Sequence, residues 1–364
     1  MKLAIVHDYI NQHGGAERVL ETFMEQYPEA PIYTLISNLN KMPDVFKQAE
    51  IHNSFIQNIP FSQNHYKKML SLLPLAVEQF DMREYEVILS TSSAFAKGVI
   101  TNSSQTHVCY CHTPMRYVWD LYHQYMDELR NPIFKWVLPR VLHKIRLWDY
   151  ATAQRVDHFI ANSNNVAKRI KKYYGRESVV IHPPVNLEQF SISDKIEDYF
   201  LIVSRLIPYK RIDLIIEAFN ELKWPLVIIG DGYDRKRLEQ MAGSTITFLG
   251  YQSDEVIAQY YSKCRGFILG GEEDFGITPL EAQASGRPVL AYGKGGALET
   301  VIEGETGLFF RDARVSCIVE KLKQMSITQF DSNHIHQHAA SFNKQRFQKQ
   351  VHQFIEQVHN KGVQ

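Results

Sequence analysis

Cysteine is scarce, with four in 364 residues (Cys109, Cys111, Cys264 and Cys317), no CxxC and no histidine pair at zinc-ligand spacing. A disulfide scaffold and a zinc module are excluded. Cys109 and Cys111 stand two apart in THVCYCHT, a strand-like run that turns both to one face. They read as small buried side chains of a reducing compartment, with a dithiol function as the alternative. Charge of one sign is also lacking. Forty Lys and Arg against forty Asp and Glu give a net charge of zero, whereas a broad nucleic-acid binder carries a basic surplus. No run approaches the roughly eighteen apolar residues of a membrane span. MKLAIVHDY shows neither a charged leader with a long apolar stretch nor a small-residue cleavage site. The expected place is the cytoplasm, including the inner face of the plasma membrane. Missing as well are a 20–50-residue repeat, a low-complexity tract, a G-x-G-x-x-G after any strand and a DxD pair.

What is present is an ordinary globular balance, 45% apolar and 22% charged, at a length that suggests two domains. Short apolar runs alternate with helical patterns. KLAIVHD (2–8), PIYTLIS (31–37), EVILST (86–91), HVCYCHT (107–113) and HFIANS (158–163) read as strands, each ending in polar residues. After Gly14-Gly15, residues Val19, Leu20, Phe23 and Met24 recur at helical spacing. The second half repeats the grammar, with strands at 199–205, 225–232, 245–250, 266–271 and 288–293 and helices at 211–221, 234–241, 254–263, 277–285 and 296–302. Strictly alternating β and α predicts a doubly wound parallel sheet in each half. The join is expected near 183–198, after Pro183-Pro184. A last helix at 342–358 is expected to pack Phe342, Phe347, Val351 and Phe354 along one face.

The most informative stretch is GGEEDFGITPLEAQASGRPVLAYGKGGALETV (270–301). It leaves a strand through two glycines, presents Glu272, Glu273 and Asp274, turns at Phe275-Gly276 and starts a helix at Ile277 with Pro279 in its first turn. Amides of Phe275, Gly276 and Ile277 at such a helix start suit an anion or sugar hydroxyls. Glu273 and Glu281 stand eight apart, within reach of one cavity; alone, they read as a helix-entrance acid and a solvated glutamate. VSRLIPYKRID (203–213) sets Arg205 and Lys210 five apart after a strand. That pair suits a diphosphate, although alone it reads as a solvated loop.

Together, SRLIPYK, GDG (230–232), FLG (248–250), EDFGITPLE (273–281) and GG (295–296) resemble the C-terminal domain of family 4 glycosyltransferases, and HDYINQHGGAERV (7–19) is similar to that family's first strand and glycine turn. GEEDFGI with AYGKGGALETV resembles, within it, the WbaZ-like mannosyltransferases of bacterial surface polysaccharide synthesis. The resemblance implies a GT-B fold, two Rossmann-like domains across a deep cleft. The acceptor domain would span 1–185 and the nucleotide-sugar domain 196–340, with a helix over 341–364 crossing back. It implies a retaining hexosyltransferase that uses a nucleotide-sugar donor, mannose from GDP-mannose foremost, and a glycan or lipid-linked glycan acceptor, with no cofactor and no metal. Arg205 and Lys210 would hold the diphosphate, Glu281 the ribose, and Glu273 the transferred sugar, with the amides of Phe275, Gly276 and Ile277. Gly14 and Gly15 would admit the diphosphate, Tyr251 would lie by the base, His112 by the sugar, and Arg116 by an acceptor phosphate. A UDP-sugar transferase, a GT-B nucleotide-sugar epimerase and a non-catalytic sugar-nucleotide-binding subunit remain alternatives. A glycosidase has no use for a diphosphate-binding pair. HYKKMLSLLPLAV (65–77) and NPIFKWVLPRVLHKIRLWDY (131–150) mix apolar and basic residues, as a segment on an anionic membrane does; an ordinary helix packed on its sheet is the plain reading, and Pro139 interrupts the face of the second stretch.

Overall fold

The computed structural model describes residues 1–127, 129 and 131–362. The chain divides into two compact units, Met1–His182 with Gln348–Gln364, and Pro183–Phe347.

The first unit is built on a parallel sheet of β1 (Leu3–His7), β2 (Ile32–Thr34), β3 (Ile51–Asn53), β4 (Val87–Ser92), β5 (Thr106–Cys111), β6 (His158–Ala161) and β7 (Ser178–Val180). Their order is β3-β2-β1-β4-β5-β6-β7. β1, β4 and β5 are buried along their whole length; β1 and β4 accordingly read as apolar runs that turn polar only at the carboxyl end, while β5 also buries Thr106 and His107 at its start. β3 and β7 are three-residue strands at the two edges, half exposed and without an apolar pattern, and the sequence reading missed them. The helix Gly15–Gln26 buries Val19, Leu20, Phe23 and Met24 as its spacing predicts. Cys109 and Cys111 are both buried free thiols.

The long helix Pro132–Ala153 continues through Pro139. Proline deletes one amide and its bond to the carbonyl four residues back. The helix survives because Asn131 caps its start and Leu142, Ile145 and Asp149 anchor its second half. Asp149 is buried against Lys97 and also accepts from Trp119 Nε1 at 2.7 Å and Tyr174 Oη at 3.0 Å, so its charge is fully partnered.

The second unit holds β8 (Phe200–Val203), β9 (Leu226–Ile229), β10 (Ile246–Gly250), β11 (Gly266–Leu269), β12 (Val289–Tyr292) and β13 (Gly307–Phe310), all parallel, in the order β10-β9-β8-β11-β12-β13. All five strands expected here are present, and β13 is added beside β12. The final helix, Lys344–Gly362, leaves this unit and joins the first, where Val351 and Ile355 are buried and Gln26 Nε2 donates to the Gln348 carbonyl at 2.8 Å. Its inward face is corrected in two places. Ile355 takes the buried position expected of Phe354, whose ring stands 6.1 Å from His158, and Phe342 precedes the helix and packs on Phe275.

Candidate active site

In an open parallel sheet the strand connections turn opposite ways at one point, and the loops at the carboxyl ends there splay apart to leave a ligand crevice. In the second unit that point lies between β8 and β11. The loop after β8 carries Arg205 to Arg211, and the loop after β11 carries Gly270 to Gly276. They touch through backbone, since a Cβ added to Gly271 would fall 2.5 Å from the Tyr209 carbonyl and 2.8 Å from Lys210 Cα. Only glycine permits that approach.

The result is an ion pair between Lys210 Nζ and Glu273 Oε1, both largely shielded from water. Lys210 ends a short 3-10 turn, Pro208–Lys210, and the next residue, Arg211, is left-handed at φ 53° where the helix Ile212–Leu222 begins. Glu273 is held from its other side, where its carbonyl accepts from Gly296 N at 2.9 Å. Gly296 has no room for a side chain, because a Cβ would lie 2.3 Å from Phe275 Cα. Phe275 itself is buried against Phe342. Gly276 takes φ 93° and starts the helix Ile277–Ala284, whose first amides have no intrahelical acceptor.

Arg205 is exposed and donates from Nη2 to Tyr209 Oη at 3.1 Å, so Tyr209 ties it to the turn bearing Lys210. Glu281 is buried one turn into its helix, and Tyr261 Oη donates to its Oε2 at 3.1 Å. Tyr251 is largely exposed just past β10, two strands from β8. The structure therefore joins Lys210, Glu273 and the Gly295-Gly296 loop directly. Arg205 is linked through Tyr209, Glu281 lies in the core beneath, and Tyr251 stands apart.

In the first unit the corresponding point lies between β1 and β4. Asp8 follows β1, and its carboxylate accepts four consecutive backbone N–H groups, from Ser93 at 2.5 Å, Ala94 at 2.8 Å, Phe95 at 2.7 Å and Ala96 at 2.6 Å. The loop after β4 is thus locked onto β1. Glu17 reaches back from its helix to accept the Gly14 N–H at 2.9 Å, and its other oxygen lies 3.8 Å from His7 Nε2. This fixes the start of the Gly14-Gly15 turn.

His112 is buried, shares a 2.7 Å hydrogen bond through Nε2 with Thr91 Oγ1, and meets the Tyr110 ring edge-on. Burial, and then nearby His7, hold its pKa down to about 3. The ring is neutral, and Nδ1 is the nitrogen left for a ligand. Arg116 shares Asp120 with Arg169 at 3.5 and 3.4 Å, two guanidiniums on one carboxylate. Asp8, Glu17, Arg169, Tyr209 and Tyr261 were not found from sequence. Their only signal is place, beside a strand's carboxyl end or facing a residue already chosen.

His107 is likewise held near 3, by burial first and then by Arg155 and Lys97. Both histidines are depressed below the ordinary value of about 6.5, so between that value and about 3 the unfolded chain binds protons that the folded chain does not. Stability therefore falls as pH drops through that window, by up to about 1.4 kcal/mol per pH unit for each histidine. Urea denaturation at pH 7 and pH 5 should show the loss. A free energy that is flat or larger at pH 5 contradicts the neutral, buried assignment.

Two parallel α/β units, each with glycine-bearing loops at the strand reversal, define the class of GT-B proteins, and solved structures agree. Sucrose-phosphate synthase of Thermosynechococcus elongatus matches with a TM-score of 0.79 at 17% identity over 98% of this chain and 100% of that one. Anabaena HepE, in complex with UDP and glucose, matches with a TM-score of 0.74 at 18% identity over 98% and 99%. Residues 13–189 match the family described as Glycosyltransferase Family 4, and residues 186–342 the family described as glycosyl transferases group 1. Two glycosyltransferase family models, one on each half, thus account for residues 13–342 of a chain with the GT-B fold.

Curated relatives include an uncharacterized glycosyltransferase of Methanocaldococcus jannaschii, 28% identical over 48% of this chain and 51% of that protein. A GDP-mannose-dependent alpha-mannosyltransferase of Mycobacterium tuberculosis is 38% identical over 29% and 28%. O-antigen chain mannosyltransferase C of Escherichia coli is 28% identical over 37% and 42%. The chain thus spans about half or less of each of these relatives.

Proposed function

We propose that the chain transfers a hexose, mannose from GDP-mannose, to a glycan or lipid-linked glycan acceptor in bacterial surface polysaccharide synthesis, with retention at the anomeric carbon and without a divalent cation. The observation that carries this reading is the Lys210–Glu273 pair at the strand reversal, with Arg205 one tyrosine away. A cation and a carboxylate side by side are what polarising a sugar–diphosphate bond requires, which supports the reading. Two of the relatives are themselves named mannosyltransferases, one of them GDP-mannose-dependent.

On this reading the chemistry follows from charge. Breaking the sugar–phosphate bond builds positive charge on the sugar and negative charge on the departing diphosphate. Lys210 and Arg205 stabilise the diphosphate as preorganised donors. Glu273 holds Lys210 in place and faces the sugar, whose hydroxyls take the amides of Phe275, Gly276 and Ile277. Glu281, fixed by Tyr261, accepts from the ribose, and Tyr251 lies by the base. In the first unit, Gly14 and Gly15 let backbone approach phosphate, His112 Nδ1 bonds a sugar hydroxyl, and Arg116 with Arg169 takes an acceptor phosphate. No nucleophile is assigned on the far face of the sugar, which favours same-face departure and attack over a covalent intermediate.

A thermal-shift panel of GDP, UDP, GDP-mannose, UDP-glucose, UDP-galactose and UDP-N-acetylglucosamine, with and without EDTA, tests the reading. A ligand at 100 times its Kd adds about 2.7 kcal/mol of stability. GDP and GDP-mannose are expected to raise the midpoint, unchanged by EDTA, and Arg205→Ala to abolish the rise. A rise with UDP compounds alone transfers the donor assignment to them. No rise with any compound removes the transferase proposal.

A further inference from the structure

We propose that the exposed first half of the helix Pro132–Ala153 docks the first unit onto an anionic lipid bilayer. The inference rests on exposure and charge and is independent of the transfer chemistry. A helix packed on a sheet turns its apolar residues inward, and here the second half obeys, with Leu142, Ile145 and Asp149 buried. The first half does the opposite. Ile133 is 71% exposed, Phe134 57% and Trp136 65%, and Leu147 further along is 58% exposed. Ile133, Trp136, Val137, Arg140, Lys144 and Leu147 recur at three- and four-residue steps, so they form one outward stripe opposite the buried residues. Large apolar side chains standing together in water mark a contact surface.

Charge decides which contact. Residues 131–148 contain Lys135, Arg140, Lys144 and Arg146 and no acidic residue. Arg146 turns inward to the Val118 carbonyl, while Lys135, Arg140 and Lys144 are exposed. Arg140 lies over the Trp136 ring, 3.9 Å from its centroid, so a guanidinium and an indole form one exposed unit. A protein partner would have to supply a matching acidic rim. A second copy of this chain, meeting stripe to stripe, would bring cations against cations. An anionic bilayer answers both features, since its headgroups attract the cations and its interface takes the indole and aliphatic chains. Pro139 sits between the halves and deletes the amide that would tie Lys135, a device that lets the first two turns adjust to a surface. The earlier basic segment adds Leu72 and Leu75, both exposed; the side chains of Lys67 and Lys68 lie outside the described ones.

Co-sedimentation with vesicles of phosphatidylcholine containing 30% phosphatidylglycerol, against phosphatidylcholine alone, tests the proposal. The full chain is expected to pellet with the anionic vesicles only, and to be released by 0.5 M salt. Ile133→Ser with Trp136→Ser, and separately Lys135→Glu with Arg140→Glu, should each lower the bound fraction at least tenfold. These positions are exposed, so both variants should keep the wild-type melting curve and any nucleotide response. Equal pelleting of the variants, or no pelleting of the wild type, overturns the proposal. So does a concentration-dependent dimer that the Ser variant abolishes, which would assign the stripe to a second copy.

Discussion

Lys210→Ala is expected to lower the rate of sugar transfer by about 10²–10³-fold, the loss that follows removal of one preorganised donor to a charge that develops only as the bond breaks. The ammonium is fixed from two directions, by the turn Pro208–Lys210 and by Glu273. In the proposed reaction it would need no reorganisation as the diphosphate leaves. The loss should appear mainly in kcat if the contact strengthens in the transition state, and in KM if it serves the ground state equally. Lys210→Arg keeps the charge but cannot repeat the short reach to Glu273 and should recover only part of the rate. The variant leaves the Glu273 carboxylate without its cation, but that group retains some contact with water, so the melting midpoint should drop only slightly. Steady-state kinetics with the donor identified by thermal shift measures the effect. Wild-type rates in Lys210→Ala would reduce the pair to a structural bond between two loops.

Asp8→Asn should cost stability rather than chemistry alone. The carboxylate satisfies four consecutive amides at once. An asparagine of the same shape offers one oxygen and turns an NH2 group toward the others, leaving at least two buried donors facing a donor. At the cost of unsatisfied buried groups, and with a charge-assisted network broken, about 3–5 kcal/mol is expected. For a unit of this size that is a fall of roughly 10 °C in the midpoint, read by calorimetry. Nucleotide response should weaken too if the loop after β4 must stay in place. A midpoint within a degree or two of wild type would mean that the loop is held by its apolar neighbours Phe95 and Val99 instead.

The parts legible in the sequence are those with a local cause. Apolar runs mark strands inside a parallel sheet, and ten strands could be read from them, although β10 has an exposed Thr247 and the fully buried, four-residue β13 was missed. Loops that approach through backbone need glycine, so the pairs Gly270-Gly271 and Gly295-Gly296 could be singled out, and at Gly271 and Gly296 a Cβ would strike backbone. Residues with a distant cause were illegible. Asp8 differs from any acid after a strand only in that residues 93–96 fold over it, more than eighty positions away. Glu273 and Lys210 could each be chosen, yet their pairing depends on Gly271 lying against Tyr209 and Lys210, a fact of topology. Edge strands β3 and β7 are too short to show a period.

The final helix gives the first unit an unusual history during synthesis. Its sheet is complete at β7, but the segment from Gln348 that covers part of it arrives only after the whole second unit has been made. At about 5–20 residues per second, those intervening residues take a ribosome roughly 10–30 s. Throughout that interval the surface that later receives Val351 and Ile355 is open, beside Gln26 and Tyr27. The first unit is thus begun first and finished last, and its final packing cannot precede the emergence of the other.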